Sequence, residues 1–451
     1  MTASTRTQTR TQTRTQTWVL GLSSVASFMV VLDMLVVATA LSSIQRDLGA
    51  SLRDLEWTVN AYVLSFAVLL MTGAALGDRL GRRRIFAVGL GLFSAASVAC
   101  ALAPSVGVLI AARTVQGAGA ALVMPLALAL MNAAFPPERR GWATGVYGAV
   151  TGLAATVGPV VGGAVTQGIA WPWIFWLNVP VGLLAIPLVL TRTPESFGAP
   201  ARIDWLGVLL AGIAVWALVH GGPALWAAPP ALVLFVLHER RAKAPMLPLR
   251  LFAARSFTAG NLVIFFVNAA LTGAIFFTAQ CFQVGYHHGP LVAGLWLLPW
   301  GIAPLFIAPR AGALADRFGE RALIVAGTLS LAAGMGWLGL AAGASYPALV
   351  APLTLGGIGI ALTVPAATRA VVSRVAPPDM AKASGAFSTL RQLGGACGVA
   401  VLGTVFTATA GPSFLDGYRP VLLLTAALSL AATAAALPLG PRTRVMSAGP
   451  G

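Results

Sequence analysis

The chain has 451 residues, of which 57% are hydrophobic and only 9% are charged. Ordinary soluble domains carry roughly 25% charged residues, so this composition excludes a soluble protein and predicts an integral membrane protein made of apolar helices. The net charge of +16 could suggest a nucleic-acid partner. Most Lys and Arg residues, however, lie between apolar runs on the side that the positive-inside rule makes cytoplasmic. We therefore expect the lipid bilayer, and no nucleic acid, as the partner of this charge.

The first part of the chain predicts a tail followed by six spanning helices. Residues 1–17 repeat Thr-Arg-Thr-Gln, a polar and cationic pattern that is typical of a disordered tail, here on the cytoplasmic side. Residues 18–190 hold six apolar runs, each long enough to cross a bilayer. The first run follows a polar tail and contains Asp33, so we interpret it as a retained first helix rather than a cleaved signal peptide.

A linker and a second set of six runs follow. Residues 191–255 begin with a polar stretch and contain two short apolar runs with basic residues on both sides. Both ends of this pair are then cytoplasmic, so the pair makes two crossings or none, and we expect two. Residues 256–440 hold the second six-helix half, and residues 441–451 form a second cytoplasmic tail. The prediction is an all-α membrane protein of about fourteen helices.

The two halves repeat one another at their cytoplasmic turns. A tight turn, Gly73–Arg84, places an acid and four arginines between two apolar runs, and Gly312–Arg321 repeats the pattern. Glycine permits the sharp reversal, and the arginines cannot enter hydrocarbon cheaply. Parallel repeats place a substrate site near the bilayer midplane, between the halves. We expect the turns to gate the cytoplasmic side through these residues: Asp78, Arg79, Gly81, Arg82, Asp316, Arg317 and Gly319.

Charged residues inside the apolar runs are the candidates for chemistry. Asp33 is the acid that lies well inside such a run, and buried ionisable groups in membranes are functional-site candidates by default. We interpret it as a proton-binding or substrate-contacting group, with a structural ion pair as the alternative. Arg113 is its natural counter-charge, with an interhelical strut as the alternative. Arg391 lies in an apolar run near the inner face, where it could contact substrate or snorkel to the surface.

Glycine and polar positions complete the set of candidates. The fifth run carries Gly158, Pro159, Gly162 and Gly163, a pattern that favours close helix packing and a kink, either as plain packing or as a hinge between the halves. The residues that we expect as candidates to line a substrate cavity are Asn60, Gln116, Asn178, Asn268, Gln280 and Arg391. The three cysteines lie in apolar runs without metal-ligand spacing. With no phosphate-binding loop and no catalytic constellation, we expect no metal, no cofactor and no enzyme activity.

These motifs resemble the major facilitator superfamily, and more narrowly its fourteen-helix drug:proton antiporter branch. Residues 312–319 follow the family's loop pattern throughout, whereas the copy around Asp78 has Ala74 at the first glycine. Arg113–Gly119 resembles the helix 4 motif, to which the family assigns proton coupling. Gly158–Gly163 resembles the helix 5 motif that separates exporters from importers. Leu32 and Asp33 resemble the helix 1 motif of this branch, whose acid is a proposed protonation site, although the residues after Asp33 match less well.

The resemblance implies a proton-coupled multidrug exporter that moves small hydrophobic or cationic compounds by alternating access. In that role Asp33 and Arg113 couple protons. The expected location is the bacterial inner membrane, with both termini cytoplasmic, and the expected state is a monomer. The nearest alternative is a dedicated exporter of a self-made antibiotic or other metabolite. Less favoured alternatives are a proton-coupled importer and a membrane sensor that transports nothing.

Overall fold

The computed structural model describes residues 3–198, 204–242, 245, 247, 249–372, 375 and 379–439. These residues fold into sixteen α-helices with short connections. The bounds are α1 Ala3–Leu48, α2 Leu52–Leu80, α3 Arg82–Ala101, α4 Val106–Ala134, α5 Pro137–Gly168, α6 Trp173–Trp176, α7 Asn178–Arg192, α8 Trp205–His220, α9 Ala228–Arg241, α10 Arg255–Gln280, α11 Pro290–Trp296, α12 Leu298–Phe318, α13 Glu320–Leu340, α14 Tyr346–Val372, α15 Met380–Ala408 and α16 Phe414–Ala436.

Twelve helical spans of the described chain are long and apolar enough to cross a membrane. One joins α6 to α7 across Leu177, and another joins α11 to α12 across Leu297. The all-helical prediction agrees with this architecture, but the count of fourteen is not confirmed. The two helices of the linker, α8 and α9, have 16 and 14 residues. At 1.5 Å per residue they are roughly 24 and 21 Å long, less than a hydrocarbon core of about 30 Å.

The N-terminal tail differs from its predicted disorder. The backbone of α1 is helical from Ala3 onward, so the Thr-Arg-Thr-Gln repeat continues the first spanning helix. Helix formation is limited by nucleation, and each residue added to an existing helix costs little. The apolar part of α1 supplies that nucleus.

The helices form two halves, α1–α7 and α10–α16, each held together by small residues at helix contacts. In the first half, a Cβ on Gly117 of α4 would collide with the backbone carbonyl of Tyr62 on α2. In the second half, Gly398 of α15 lies against the backbone of Ala269 on α10 in the same way. These contacts set the spacing of the helices that carry the polar residues described below.

The halves meet along two seams. One seam, between α2 and α15, is long: it includes Glu56 against Gly403, near the start of α2, and Met71 against Gly385, two thirds of the way along α2. The other seam joins α5 to α11 and α12 and is confined to the second part of α5, where Thr156 Oγ1 donates a hydrogen bond of 2.8 Å to the Gly301 carbonyl.

The α5 seam lies toward one end of the bundle. The end that carries the Asp78 turn is called the motif end, and the other is the opposite end. At the opposite end, Ser42 of α1 hydrogen-bonds Gln283, and Leu291 N donates to Gln167 Oε1 at 3.1 Å. Toward the motif end, Gly145, Gly148 and Gly152 of α5 have nothing within 4 Å of a Cβ position. The halves therefore close at the opposite end and separate along α5 toward the motif end.

The helices α8 and α9 form a hairpin outside the two halves. Its base is closed by His238 Nε2, 2.7 Å from Asp204 Oδ1. At its far side the His220 carbonyl accepts a hydrogen bond of 3.1 Å from Arg53, in the first turn of α2. Helix α8 packs on both α2 and α15. It thus covers the long seam from outside and reaches the opposite end of the bundle.

Candidate functional site

A buried polar cluster lies inside the first half. Its centre is an ion pair between Asp33 of α1 and Arg113 of α4, whose side chains are 0% and 1% exposed. Arg113 Nη1 is 2.5 Å from Asp33 Oδ2. The sequence offers these as the two mid-helix charges of the first half, and the packing of α1 on α4 brings them into contact.

The second carboxylate oxygen of Asp33 is hydrogen-bonded as well. Asp33 Oδ1 accepts hydrogen bonds from Gln116 Nε2 at 2.9 Å and from Asn178 Nδ2 at 2.7 Å. Gln116 Nε2 lies 2.8 Å from Ser97 Oγ as well. The three donors belong to Arg113, Gln116 and Asn178, so residues of α4 and α7 converge on this one side chain of α1.

Arg113 is held from several directions. Its Nε donates to the Thr58 carbonyl at 3.2 Å, and its Nη1 also lies 2.7 Å from Gln116 Oε1. The guanidinium carbon is 4.2 Å from the centroid of the Tyr62 ring, a cation–π distance. Residues of α1, α2, α3, α4 and α7 thus enclose one ion pair.

The helices around the ion pair depend on the charge of Asp33 for their packing. A proton on Asp33 would remove the charge that Arg113 and the two amides bind, and would leave Arg113 buried without a counter-charge. Breaking one side of a buried ion pair costs about 3–5 kcal/mol. The charge on Asp33 therefore stabilises the packing of α1 against α4.

Other residues expected to line a cavity lie elsewhere. Gln116 and Asn178 are fully buried in the cluster and bind Asp33. Asn60 and Gln280 are buried, and Asn60 Oδ1 and Gln280 Nε2 each lack a hydrogen-bond partner among the described residues. Asn268 Nδ2 donates to the Ile264 carbonyl of its own helix at 3.2 Å. Arg391 lies on α15, away from the cluster.

Sequence reasoning missed Ser97, Tyr62 and the Thr58 carbonyl. Tyr62 and Ser97 are polar residues within apolar runs, which is the one available signal, but many such residues only bond to their own helix. Ser97 Oγ itself also donates to the Phe93 carbonyl one turn earlier, at 2.9 Å.

The glycine motif of α5 lies between the halves. Gly158 and Gly162 face α1, where a Cβ on Gly162 would come within 2.5 Å of the Val36 carbonyl and Thr39 Oγ1. Gly163 faces α11 and would collide with the Pro290 carbonyl. In return, Gly294 of α11 lies against the Pro159 carbonyl. The motif therefore packs α5 against both halves at once.

The Asp78 turn is braced by the segment after α7. Asp78 Oδ1 accepts a hydrogen bond of 2.8 Å from Arg82 Nε, and Gly81 has a φ of 107°, which favours glycine. Glu195, which the sequence analysis did not single out, accepts from Arg83 N at 2.8 Å. Arg79 is exposed. The turn is thus held in place by the first residues of the linker.

The second copy of the turn keeps the same backbone. Gly319 has a φ of 86°, the counterpart of Gly81. The guanidinium carbon of Arg317 lies 5.1 Å from the centroid of the neighbouring Phe318 ring. The side chain of Asp316 lies outside the described part of the structure. Within the described residues, no group of three His, Cys, Asp or Glu side chains could hold a metal ion.

The family model of the Major Facilitator Superfamily matches residues 23–238 and 261–450. The chain is 37% identical to the multidrug resistance protein Stp of Mycobacterium tuberculosis (strain CDC 1551 / Oshkosh), over 84% of this chain and 74% of that protein. It is 35% identical to the tetracenomycin C resistance and export protein of Streptomyces glaucescens, over 87% and 76%. It is 36% identical to the puromycin resistance protein pur8 of Streptomyces alboniger, over 88% and 83%.

Solved structures share the fold at low sequence identity. A POT family transporter in complex with 5-aminolevulinic acid superposes with a TM-score of 0.70 at 15% identity, covering 91% of this chain and 94% of that one. The xylose transporter XylE from E. coli, in a partially occluded inward open conformation, gives 0.66 at 16% identity, covering 93% and 96%. The family model and these relatives place the chain in the Major Facilitator Superfamily of transporters, among members named for drug and antibiotic resistance.

Proposed function

We propose that this protein is a proton-coupled exporter of small, mostly hydrophobic compounds that works by alternating access. The observation that carries the proposal is the buried Asp33–Arg113 pair in a bundle whose halves close at one end and separate toward the other. The relatives named for drug and antibiotic resistance favour export as the direction of transport. The α5 motif, through Gly162 and Gly163, supports the same direction by its resemblance to exporters.

The coupling follows from the cost of opening the cluster. In the conformation with the opposite end closed, Asp33 is held by Arg113, Gln116 and Asn178. A rearrangement that gives water access to Asp33 would let it bind a proton, and the proton would keep Arg113 from re-forming its pair. Moving one charge down a potential of 100 mV releases about 2.3 kcal/mol. That energy offsets roughly half of the cost of about 3–5 kcal/mol for breaking the pair.

The sidedness of the bundle is part of this proposal. The arginines of the Asp78 and Asp316 turns assign the motif end to the cytoplasm by the positive-inside rule, so the protein would reside in the bacterial inner membrane with both termini inside. The open stretch of α5 then faces the cytoplasm, where an exporter loads its substrate. The Asp78 and Asp316 turns would act as the gates of that side, and the protein would act as a monomer.

We also propose that α8 and α9 cross the membrane, which gives fourteen crossings. Both helices are short. However, the contact of the His220 carbonyl with Arg53 shows that α8 extends as far as the first turn of α2. Large apolar side chains on the hairpin are exposed, including Leu209, Trp216 and Leu232. Such a surface suits lipid better than water.

The prediction of cationic substrates finds no free carboxylate in this conformation. Asp33 already accepts hydrogen bonds from Arg113, Gln116 and Asn178, so binding of a cation to Asp33 would depend on a conformation that releases it. The remaining candidates for a substrate cavity, Asn60, Asn268, Gln280 and Arg391, are neutral or positive.

The test is uptake of a fluorescent hydrophobic dye by proteoliposomes under an imposed pH gradient. Wild type is compared with Asp33→Asn and with Glu138→Gln, a control that removes an exposed acid at the motif end. We expect wild type and Glu138→Gln to accumulate dye against its gradient and Asp33→Asn to fail. Equal accumulation by all three would show that Asp33 is not the proton site.

A dedicated antibiotic exporter is the second candidate. It is favoured by the names of two relatives, each of which specifies a single antibiotic, tetracenomycin C or puromycin. Transport of a panel of unrelated dyes and antibiotics distinguishes a multidrug exporter from a dedicated one. A dedicated exporter would transport one class of compound and none of the others.

A further inference from the structure

Arg391 is a charged residue in the middle of the second half. It lies on α15, about three helical turns, or roughly 17 Å, from the first residue of that helix, Met380. An arginine side chain cannot reach the end of the helix over that distance, so snorkelling does not explain it. Its side chain is half-buried, in contrast to the sealed side chain of Arg113.

Among the described residues, Arg391 has no ion-pair, hydrogen-bond or aromatic-ring partner. Helix α15 borders the other half at this level, because Thr389 Oγ1, two residues before Arg391, donates a hydrogen bond of 3.4 Å to the Ala67 carbonyl of α2. On α5 of that half, Gly145 and Gly148 have nothing within 4 Å of a Cβ position, so the halves stand apart there. Arg391 therefore lies on a helix that borders the space between the halves.

Acidic side chains that could neutralise Arg391 are placed elsewhere. Of the acids that the structure describes, Asp33 alone lies more than two turns from a helix end, and it is bound by Arg113. The others lie at helix ends or in the linker, where several have partners of their own, such as Asp379 with Arg250 at 2.7 Å. A guanidinium is always charged, and a lone cation at membrane depth is costly unless water or an anion compensates it.

We propose that Arg391 is the anion-binding group of the substrate site, and that the compounds bound there carry one acidic group, such as a carboxylate, on a hydrophobic body. The inference rests on the proposed function for the existence of that site and adds its substrate class. One arginine suits one anionic group, since a guanidinium binds a carboxylate through two parallel hydrogen bonds. The apolar helices around it suit the hydrophobic body.

The experiment compares two probes that differ in one group. Dansyl-phenylalanine carries a carboxylate, and dansyl-phenylalaninamide is its neutral counterpart of almost equal size. Binding of each to the full chain is measured by fluorescence titration in phosphatidylcholine nanodiscs, without a pH gradient. We expect wild type to bind the acid on the order of tenfold to a hundredfold more tightly than the amide, the usual range for a hydrogen bond to a charged group.

Variants assign the preference to Arg391. Arg391→Gln should bind both probes equally, and Arg391→Lys should keep part of the preference, because a point charge remains. Arg310→Gln, which removes an exposed arginine of α12, should keep all of it. Equal binding of the two probes by wild type would overturn the proposal without any variant, and so would an undiminished preference in Arg391→Gln.

Two further results distinguish substrate binding at Arg391 from lipid binding there and from a failure of the proposed proton-driven transport. A lipid phosphate offers the same chemistry, so the titration is repeated with phosphatidylglycerol in the nanodiscs. If that lipid abolishes the preference, the anion at Arg391 is a headgroup and the substrate class is wrong. Because binding needs no pH gradient, a preference for the acid stands even if proton-driven transport fails, and transport without any such preference refutes only the inference.

Discussion

The two halves share an architecture but differ in the charged residues that lie in the middle of their helices. In the first half, Asp33 and Arg113 lie on the first and fourth helices, sealed from water and bound to each other. In the second half, the equivalent helices α10 and α14 carry charges only near their ends, at Arg255 and Arg369. Its mid-helix charge, Arg391, is on α15 and is unpaired among the described residues. The two halves therefore share a fold but not an arrangement of charges. The first half holds a buried ion pair, and the second holds an arginine without a described partner.

The largest expected effect comes from breaking the pair. Arg113→Met leaves Asp33 buried without a counter-charge and is expected to lower the free energy of unfolding by about 3–5 kcal/mol. Thermal unfolding in detergent, followed by size-exclusion chromatography, measures the change. The double variant Asp33→Asn/Arg113→Met should recover much of the loss, since no lone charge remains. A single variant as stable as wild type would show that the pair contributes nothing to folding.

The next effect tests the contact between the halves. Gly163→Val forces a side chain against the Pro290 carbonyl, and overpacking of this kind costs about 1–3 kcal/mol. We expect the opposite end to open, which would lengthen the distance between spin labels at the exposed positions Ile169 and His287. Gly152→Val is the matched control, because its Cβ meets open space. Equal distances in both variants would argue against a seam at Gly163.

A smaller effect is expected when one hydrogen-bond donor to Asp33 is removed and the result is compared with the loss of a buried amide outside the cluster. Gln116→Leu removes the hydrogen bonds of Gln116 to Asp33, Arg113 and Ser97, and a lost buried hydrogen bond to a charged group is worth about 1.5–3 kcal/mol. Asn60→Leu removes a buried amide whose Oδ1 has no described partner, so it should cost less. The same unfolding assay compares them. If Asn60→Leu proves the more damaging, the amide of Asn60 has a role that the cluster does not explain.

The smallest effect is expected in the second half. Arg391→Met removes a charge without a described partner, so stability should stay within about 0.5 kcal/mol of wild type or rise, as when buried charges are replaced by apolar residues. This result, beside the large loss for Arg113→Met, would establish the difference between the halves directly. A loss as large as that of Arg113→Met would mean that Arg391 has a structural partner after all.

The sequence predicts the helical halves because apolar runs of spanning length leave few alternatives, and it predicts the turns because the Asp78 pattern recurs at Asp316. Asp33 and Arg113 are also foreseeable, since few charges lie inside the runs. The donors Gln116 and Asn178 could not be assigned to Asp33, because their contact depends on how α4 and α7 pack around α1. Ser97 and Glu195 were missed for the same reason: their partners are distant in sequence and nothing local marks them.

The hairpin of α8 and α9 has a consequence for how the halves move. Helix α8 contacts α2 of one half and α15 of the other, and it borders an apolar groove of about 380 Å³ beside Val68. A rocking motion must either slide this helix or turn about it as an axis. If the halves turn about α8, the displacement of each helix grows with its distance from α8. It is then greatest along α5, on the side of the bundle far from the hairpin. Molecules that enter from within the bilayer would then pass on the α5 side, and the flank covered by the hairpin would stay shut throughout the cycle.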